Sequence, residues 1–179
     1  MQRPLLILDI DETLLHSREE PLAHECDLRV YDYYVYLRPH VRLFLQSVSE
    51  QYDLACWSSA TRNYLASVIS ELMAGLAAKP LFVWDRRRCT ERFDFVEQEH
   101  YFLKDLKKVR RRGFDLDRVL ILEDEPRKVN RHFGNAIYVK PFEGCLDDDE
   151  LLKLAQYLQS ISSITNFRRL EKRSWRSLV

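Results

Sequence analysis

The chain has 179 residues, which is enough for one compact domain with a hydrophobic core and too short for two of ordinary size. Hydrophobic residues make up 46% of the sequence, and this excludes a disordered chain. The 28 basic and 28 acidic side chains give a formal net charge of zero, which argues against a protein that binds mainly nucleic acid or an anionic membrane. The four cysteines include no CxxC pair, so the usual zinc spacings are absent.

The beginning of the sequence, MQRPLLILDID, has an apolar run that is too short for a secretory signal. No apolar stretch approaches the roughly 20 residues that a membrane-spanning helix needs. We therefore expect a protein that does not bind membranes and resides in a reducing compartment, which is the cytoplasm, or the nucleus in a eukaryote. The oligomeric state stays open.

Four short apolar runs have the length of buried strands and do not alternate with polar residues, a pattern typical of a parallel sheet that is covered on both faces. The runs occupy residues 5–8, 54–57, 81–84 and 119–122. Apolar residues at helical spacing occur in residues 39–51, 61–73, 102–112 and 147–158. This alternation of strands and helices predicts a doubly wound α/β fold with a mostly parallel sheet.

Three segments depart from the alternation. Residues 27–37 alternate apolar with polar and aromatic side chains, which predicts a small β insertion after the first strand, and no segment is long enough for a large cap domain. Residues 84–102 are polar and charged, so we expect a loop or a small hairpin near the edge of the sheet. We expect residues 1–165 to form a single domain and residues 166–179 to form a basic helical tail.

Acidic and hydroxyl side chains follow three of the predicted strands, at the edge where a doubly wound sheet binds ligands. These side chains belong to Asp9, Asp11, Ser58, Ser59, Glu123 and Asp124. Two acidic clusters at one edge repel each other unless a cation lies between them. Oxygen ligands without thiolates favour Mg²⁺, and Mn²⁺ fits the same ligands. The sequence therefore predicts a site for a divalent cation at this edge.

Carboxylates beside such a cation can act on a phosphate ester. One carboxylate can attack phosphorus, and a second one two residues away can protonate the leaving oxygen and later activate water. A lysine is also needed to balance the charge of the phosphoryl group, and Lys104, at the start of the predicted third helix, is the candidate. Each feature alone is common in turns and helix caps, but their conjunction in this order favours phosphoryl transfer.

The ordered motifs resemble those of the haloacid dehalogenase superfamily, in the form found in the RNA polymerase II C-terminal-domain phosphatases and the NLI-interacting-factor-like group. The first motif is LLILDIDETLLHS, and later matches are LRPHV, CWSSAT, FLKDL, EDEP and VKPF. The resemblance covers nearly the whole chain and implies a haloacid dehalogenase-like fold. It also implies a Mg²⁺-dependent phosphatase that acts through an aspartyl-phosphate on phosphoserine or phosphothreonine in a protein or peptide substrate.

The resemblance implies a role for each matching position. Asp9 would be the nucleophile and a metal ligand. Asp11 would be the general acid and base, and its backbone carbonyl would be a metal ligand. Lys104 would neutralise the phosphoryl charge, and Asp124 would be a further metal ligand with Glu123 beside it. The positions implied in substrate binding, or in orienting the nucleophile loop, are Thr13, Ser58, Ser59 and Arg86.

Two departures from the family pattern leave alternatives open. The fourth motif commonly reads Asp-Asn but here is Glu123-Asp124, so Glu123 is either a direct metal ligand or an outer-shell residue. The segment before LRPHV is shorter than in eukaryotic members, where it helps to bind a proline-containing phosphopeptide, and this leaves the polymerase tail in doubt as the substrate. A phosphatase for a small molecule or a nucleic-acid end is one alternative, and a binding module on the same fold is another.

Overall fold

The computed structural model describes residues 3–179 and has a five-stranded sheet at its centre. Its strands are β1 (Leu5–Leu8), β5 (Asp53–Trp57), β6 (Val83–Trp84), β9 (Val119–Glu123) and β10 (Ala136–Tyr138). Their spatial order is β10-β9-β1-β5-β6, and every neighbouring pair is parallel. This sheet confirms the predicted α/β class. The sequence patterns predicted four of the five strands, and β10 was not among them.

Four α-helices accompany the sheet. They are α1 (Val41–Ser49), α2 (Arg62–Leu72), α3 (Lys107–Arg110) and α4 (Glu150–Ile161). The predicted third helix was wrong at its start, because Phe102 and Leu103 pair with Glu91 and Thr90 across an antiparallel hairpin. Strand pairing therefore takes the first residues of that segment, and only one helical turn remains. None of the helices in residues 3–179 has the length and apolar character needed to span a bilayer.

Two small antiparallel sheets lie outside the main sheet. The first contains β2 (Leu15–Arg18), β3 (Leu28–Val30) and β4 (Tyr33–Leu37) in the order β2-β4-β3. The second is a hairpin of β7 (Thr90–Asp94) and β8 (Glu99–Leu103). The three-stranded sheet corresponds to the predicted β insertion, and the two-stranded sheet corresponds to the predicted hairpin. Residues 3–179 contain no larger cap domain, as expected.

The hydrophobic core covers both faces of the parallel sheet. Side chains alternate between the two faces along each strand, so Leu6 and Leu8 of β1 pack with α1, α2 and α4. Leu5 and Ile7 pack on the opposite face, where Trp57 and Val109 are also buried. Burial on both faces explains why these strands appear in the sequence as continuous apolar runs.

The residues after position 165 form two short 3-10 turns, Phe167–Arg169 and Trp175–Leu178, and not the expected helical tail. Phe167 and Trp175 are buried in the core beside α4, and these anchors hold the segment against the domain. The ammonium of the buried Lys172 donates to the carbonyl oxygens of Gly134, Phe167 and Leu170. These three hydrogen bonds satisfy the Lys172 ammonium, so the side chain can be buried although it is charged.

Arg38 connects the loop after β1 to the C-terminal part of the chain. Its buried guanidinium binds both carboxylate oxygens of Asp148, at 2.7 and 2.8 Å. It also donates to the carbonyl oxygen of Thr13 at 3.1 Å and to that of Lys140 at 3.0 Å. Because one planar group holds three chain segments together, the position of the DIDET loop depends on this arginine.

We expect Arg38→Met to lower the free energy of unfolding by about 3 kcal/mol, because it leaves Asp148 and two carbonyl oxygens without their donor. Urea unfolding measures this change. Arg42→Met is the matched control, since Arg42 pairs with Glu71 at an exposed position and its loss should cost less than about 1 kcal/mol. Equal effects of the two substitutions would contradict the structural role of Arg38.

Candidate active site

Neighbouring parallel strands bring three carboxylates together at the carboxyl edge of the sheet. The β1–β9 register pairs Leu8 with Leu122, and the backbone N–H of Asp9 donates to the carbonyl oxygen of Leu122. This register places Asp9 beside Glu123 and Asp124. Carboxylate oxygens of these three residues lie within 4.8 Å of one another, so the predicted meeting of two acidic clusters occurs in the structure.

Lys104 lies between two of these carboxylates. Its Nζ is 2.5 Å from Asp9 Oδ1 and 2.7 Å from Glu123 Oε2, and all three side chains are buried. Lys104 follows β8 and precedes α3, so its predicted place at the start of a helix was wrong. Its backbone N–H donates to the carbonyl oxygen of Lys128 at 2.7 Å, and this bond fixes the turn that carries it.

The environment of Asp9 favours its ionised form. Burial by itself would raise the pKa of Asp9, but the ammonium groups of Lys104 and Lys128 outweigh burial and hold the pKa below its ordinary value. The buried hydroxyl of Thr13 donates to Asp9 Oδ2 at 3.3 Å. The Asp9 carboxylate is therefore charged and oriented by two donors.

Asp11 has a different environment, although it is only two residues away. Its Oδ1 accepts a hydrogen bond from the Tyr64 hydroxyl and its Oδ2 accepts one from the Ser58 hydroxyl, each at 2.9 Å. Burial and the charge of Asp9 raise the pKa of Asp11 above its ordinary value. The Ser58 oxygen also accepts from the N–H of Ala60 at 2.8 Å, so this hydroxyl donates to Asp11 and accepts from the backbone.

A cavity of about 300 Å³ opens beside Asp11 and is lined by Ser59 and Arg86 as well. Arg86 Nε donates to the carbonyl oxygen of Ser59 at 2.6 Å, and the guanidinium stacks over the ring of Phe102 at 4.6 Å. The structure thus brings Ser59 and Arg86 to the cavity of Asp11. Thr13 is buried against Asp9 and is not among the residues that line this cavity.

The donor set fits a hard divalent cation. Asp124 Oδ1 is buried and has no hydrogen-bond partner among residues 3–179, a costly state for a carboxylate oxygen that a bound cation would relieve. The neighbouring oxygens come from Asp9 and Glu123, and Mg²⁺ prefers such ligands. Glu123 is partly committed elsewhere, because Oε2 binds Lys104 and Oε1 accepts from the N–H of Glu125 at 3.3 Å.

Two residues of the site were missed in the sequence. Helical spacing in residues 61–73 indicates only that Tyr64 lies on the buried face of α2, whereas its hydroxyl contacts Asp11. Lys128 Nζ lies 3.8 Å from Glu123 Oε1 and 2.9 Å from Glu125 Oε2. The available signals were a hydroxyl on an otherwise apolar helix face and a lysine soon after the EDEP motif, and neither is specific.

The family model described as NLI interacting factor-like phosphatase matches residues 4–168. Human carboxy-terminal domain RNA polymerase II polypeptide A small phosphatase 1 is 30% identical, over 89% of this chain and 59% of that protein. Phosphatase Herzog of Drosophila melanogaster is 29% identical, over 92% of this chain and 46% of that protein. The chain therefore spans about half the length of these two relatives.

Two solved structures of Fcp1 have a fold similar to that of this chain. The structure of fission yeast RNA polymerase II CTD phosphatase Fcp1 bound to beryllium fluoride superposes with a TM-score of 0.61 and 18% identity, covering 87% of this chain and 45% of that one. Another structure of Fcp1 gives a TM-score of 0.58 and 19% identity, over 90% of this chain and 51% of that one. The comparisons confirm the predicted family resemblance and the haloacid dehalogenase-like fold.

We expect Lys104→Met, measured in EDTA, to lower the free energy of unfolding by about 3–5 kcal/mol near pH 8, because the buried carboxylates of Asp9 and Glu123 then lack the cation that lies between them. Without Lys104, burial raises the carboxylate pKa values, so the folded state binds more protons than the unfolded state. The loss of stability should therefore shrink as the pH falls from about 8 to about 5.

Urea unfolding at the two pH values measures the effect of Lys104→Met. Lys153→Met is the control, because Lys153 pairs with Asp149 on the exposed surface of α4 and should show a small effect at both pH values. A loss that is identical near pH 8 and near pH 5 would show that Lys104 acts by packing and not by charge.

Proposed function

We propose that this chain, which belongs to the NLI interacting factor-like phosphatase family, is a Mg²⁺-dependent phosphomonoester hydrolase for phosphoserine or phosphothreonine in proteins. The observation that carries the proposal is the contrast between two neighbouring carboxylates. Asp9 is held ionised by Lys104, whereas Asp11 is held by two hydroxyls and has a raised pKa. When the environments of two carboxyl groups shift their pKa values in opposite directions, the two groups can take separate roles in catalysis.

In the first step, a carboxylate oxygen of Asp9 attacks phosphorus and forms an aspartyl-phosphate. The bond between phosphorus and the serine or threonine oxygen breaks, and the protonated Asp11 gives its proton to that oxygen. The alcohol side chain leaves as a neutral group. Lys104 stays beside Asp9 and balances the negative charge of the phosphoryl group.

In the second step, water attacks the phosphorus of the aspartyl-phosphate. Asp11 is now a carboxylate and takes a proton from this water, so the same residue acts first as an acid and then as a base. The bond between phosphorus and Asp9 breaks, inorganic phosphate leaves, and the Asp9 carboxylate is restored. The hydroxyls of Ser58 and Tyr64 keep Asp11 oriented through both steps.

We propose that Asp9 and Asp124, together with the backbone carbonyl of Asp11, hold Mg²⁺, and that Mn²⁺ can replace it. A divalent ion there supplies a positive charge that polarises the phosphoryl oxygens. The contact of Glu123 with Lys104 supports a role in which Glu123 fixes the lysine and adds negative charge next to the ion. The buried, unpaired oxygen of Asp124 supports its role as a direct ligand.

The substrate class rests on the open site and on the family. Ser59 and Arg86 line the cavity beside Asp11, and we propose that Arg86 contacts the substrate phosphate. A site that no large cap covers admits a protein segment, and relatives of this chain are named phosphatases. Cytoplasmic location, or nuclear location in a eukaryote, stays a prediction.

We expect Asp9→Asn to reduce the hydrolysis of an aryl phosphate to background, because the amide cannot form the acyl phosphate. EDTA should do the same to the unmodified chain, and added Mg²⁺ should restore turnover. Acid-quenched protein should carry a phosphoryl group that hydroxylamine removes, as measured by intact mass. Asp53→Asn, at the amino end of β5, is a control with the same change in charge.

The absence of turnover by folded protein with either Mg²⁺ or Mn²⁺ would contradict the proposed hydrolase and favour a binding module on this fold. Turnover that survives Asp9→Asn would contradict the aspartyl-phosphate mechanism.

We expect Asp11→Asn to slow the hydrolysis of a phosphoserine peptide by about 10²–10⁴-fold, because the serine alkoxide is a poor leaving group without a proton donor. The phosphorylation of Asp9 by an aryl phosphate with a good leaving group should slow much less, since that group leaves without protonation. Single-turnover kinetics with both substrates measure the difference. An equal effect on both would contradict the role of Asp11 as the general acid.

A further inference from the structure

A second cavity, of about 800 Å³, lies next to the proposed active site at the β6 edge of the sheet. Two chain segments contribute to the walls of both cavities. At the start of α2, Thr61, the residue before the helix, lines the cavity of Asp11, and Arg62, its first residue, lines the second cavity. After β6, Arg86 lines the first cavity and Arg87 lines the second. The two cavities are therefore neighbours along the chain segments that line them.

The second cavity is strongly cationic, and we call it the arginine groove. Four exposed arginines line it, and the only acidic residue in its lining is Asp85. The four are Arg62, Arg87, Arg88 and Arg112. Within the described part of the chain, the Asp85 carboxylate forms an ion pair only with Arg87, whose Nε donates to Oδ1 at 3.0 Å and whose Nη2 donates to Oδ2 at 2.7 Å. The other three guanidinium groups have no carboxylate at ion-pair distance among residues 3–179.

Two of these free guanidinium groups lie over aromatic rings. Arg88 lies over the ring of Trp84, at 5.4 Å from its centre. Arg112 lies over Phe82 at 4.9 Å and over Trp84 at 5.8 Å. A cation within about 6 Å of a ring centre is attracted to the ring face, and its N–H groups can still donate to an anion. The groove therefore presents cationic donors beside aromatic rings, and a phosphate or carboxylate group can accept from them in pairs.

We propose that the arginine groove binds a second anionic group of the protein whose phosphoserine or phosphothreonine occupies the active site. The second group is a phosphate on a nearby residue or a cluster of acidic side chains, since both present the same chemistry. This inference rests on the proposed function for the identity of the first group. It makes multiply phosphorylated or acidic segments the preferred substrate class.

Nucleic acid fits the groove less well than an anionic peptide does. Binding of a nucleic acid strand needs a basic surface that follows a run of phosphates, and the chain as a whole has no excess of basic residues. The three arginines without a carboxylate partner are enough to bind one or two anionic groups. Their position beside the cavity of Asp11 matches a substrate that extends a few residues beyond its reacting phosphate.

The test measures binding and not turnover. The probes are fluorescent peptides with one phosphoserine, alone or with a second phosphoserine or a pair of glutamates placed one to six residues away. Binding to the whole 179-residue chain with Asp9→Asn is followed by fluorescence anisotropy, since that variant does not hydrolyse the probe under the proposed mechanism. At one or more spacings, the second anionic group should lower Kd about tenfold at low salt, and added salt should reduce this gain.

Two double variants test whether the gain in affinity from the second anionic group depends on the arginine groove. Arg88→Gln with Arg112→Gln should abolish the gain from the second anion. Arg110→Gln with Arg111→Gln should keep it, because these two arginines are exposed, adjacent in sequence and outside the lining of the groove. Arg62→Gln is an additional variant if the aromatic contacts prove necessary for folding, since Arg62 stacks on no ring in residues 3–179.

Three results would overturn the proposal. The first is the same Kd for peptides with one and with two anionic groups at every spacing. The second is a gain that survives the substitutions in the groove. The third is a single-stranded oligonucleotide that binds more tightly than the doubly phosphorylated peptide and loses its affinity in the same groove variant. If the gain depends on the groove while the aryl phosphate assay shows no turnover, only the proposed hydrolase fails.

Discussion

The buried ammonium of Lys104 is the interaction on which the arrangement of this site depends. The parallel pairing of β1 and β9 forces Asp9 and Glu123 to emerge side by side, and Asp124 follows immediately. Three carboxylates at this separation, shielded from water, repel strongly unless a positive charge lies among them. Lys104 contributes that charge from within the chain, so the folded domain can hold its acidic cluster before any ion binds. Lys104, with Lys128 nearby, therefore makes the fold and the proposed metal site compatible.

Lys104 is not carried by the parallel sheet, and its position depends on the small hairpin. It directly follows β8, and Arg127 ties the hairpin to the loop after β9 by pairing with both Glu99 and Glu125. The backbone N–H of Lys104 then bonds to the carbonyl oxygen of Lys128, one residue beyond Arg127. The polar segment that interrupts the α/β alternation thus has a specific structural task, since it delivers the lysine to carboxylates that two other strands carry.

The sequence allowed prediction of features that depend on local pattern, and the missed features depend on tertiary contacts. The buried strands β1, β5 and β9 follow from continuous apolar runs, and the shared edge of the sheet follows from the topology of parallel strands. The strand β10 has only three residues and offers too short a pattern. Lys104 was placed in a helix because Leu103, Leu106 and Val109 have helical spacing, whereas pairing with β7 determines the actual structure of Leu103. Tyr64 illustrates the same limit, because helical periodicity indicates that its ring is buried and gives no information on what its hydroxyl contacts.

The contacts of Tyr64 connect substrate recognition to the proposed chemistry. Its hydroxyl orients Asp11, while its ring packs edge-on against Tyr33 of the insertion, with ring centres 5.9 Å apart. Tyr33 and Ser17 line the cavity beside Asp11, so the insertion contributes directly to the surface that a substrate would meet. The ring of Tyr33 therefore packs against the residue whose hydroxyl binds the carboxyl group of Asp11. The short insertion can therefore influence catalysis through one aromatic contact, although it donates no group to the phosphoryl transfer itself.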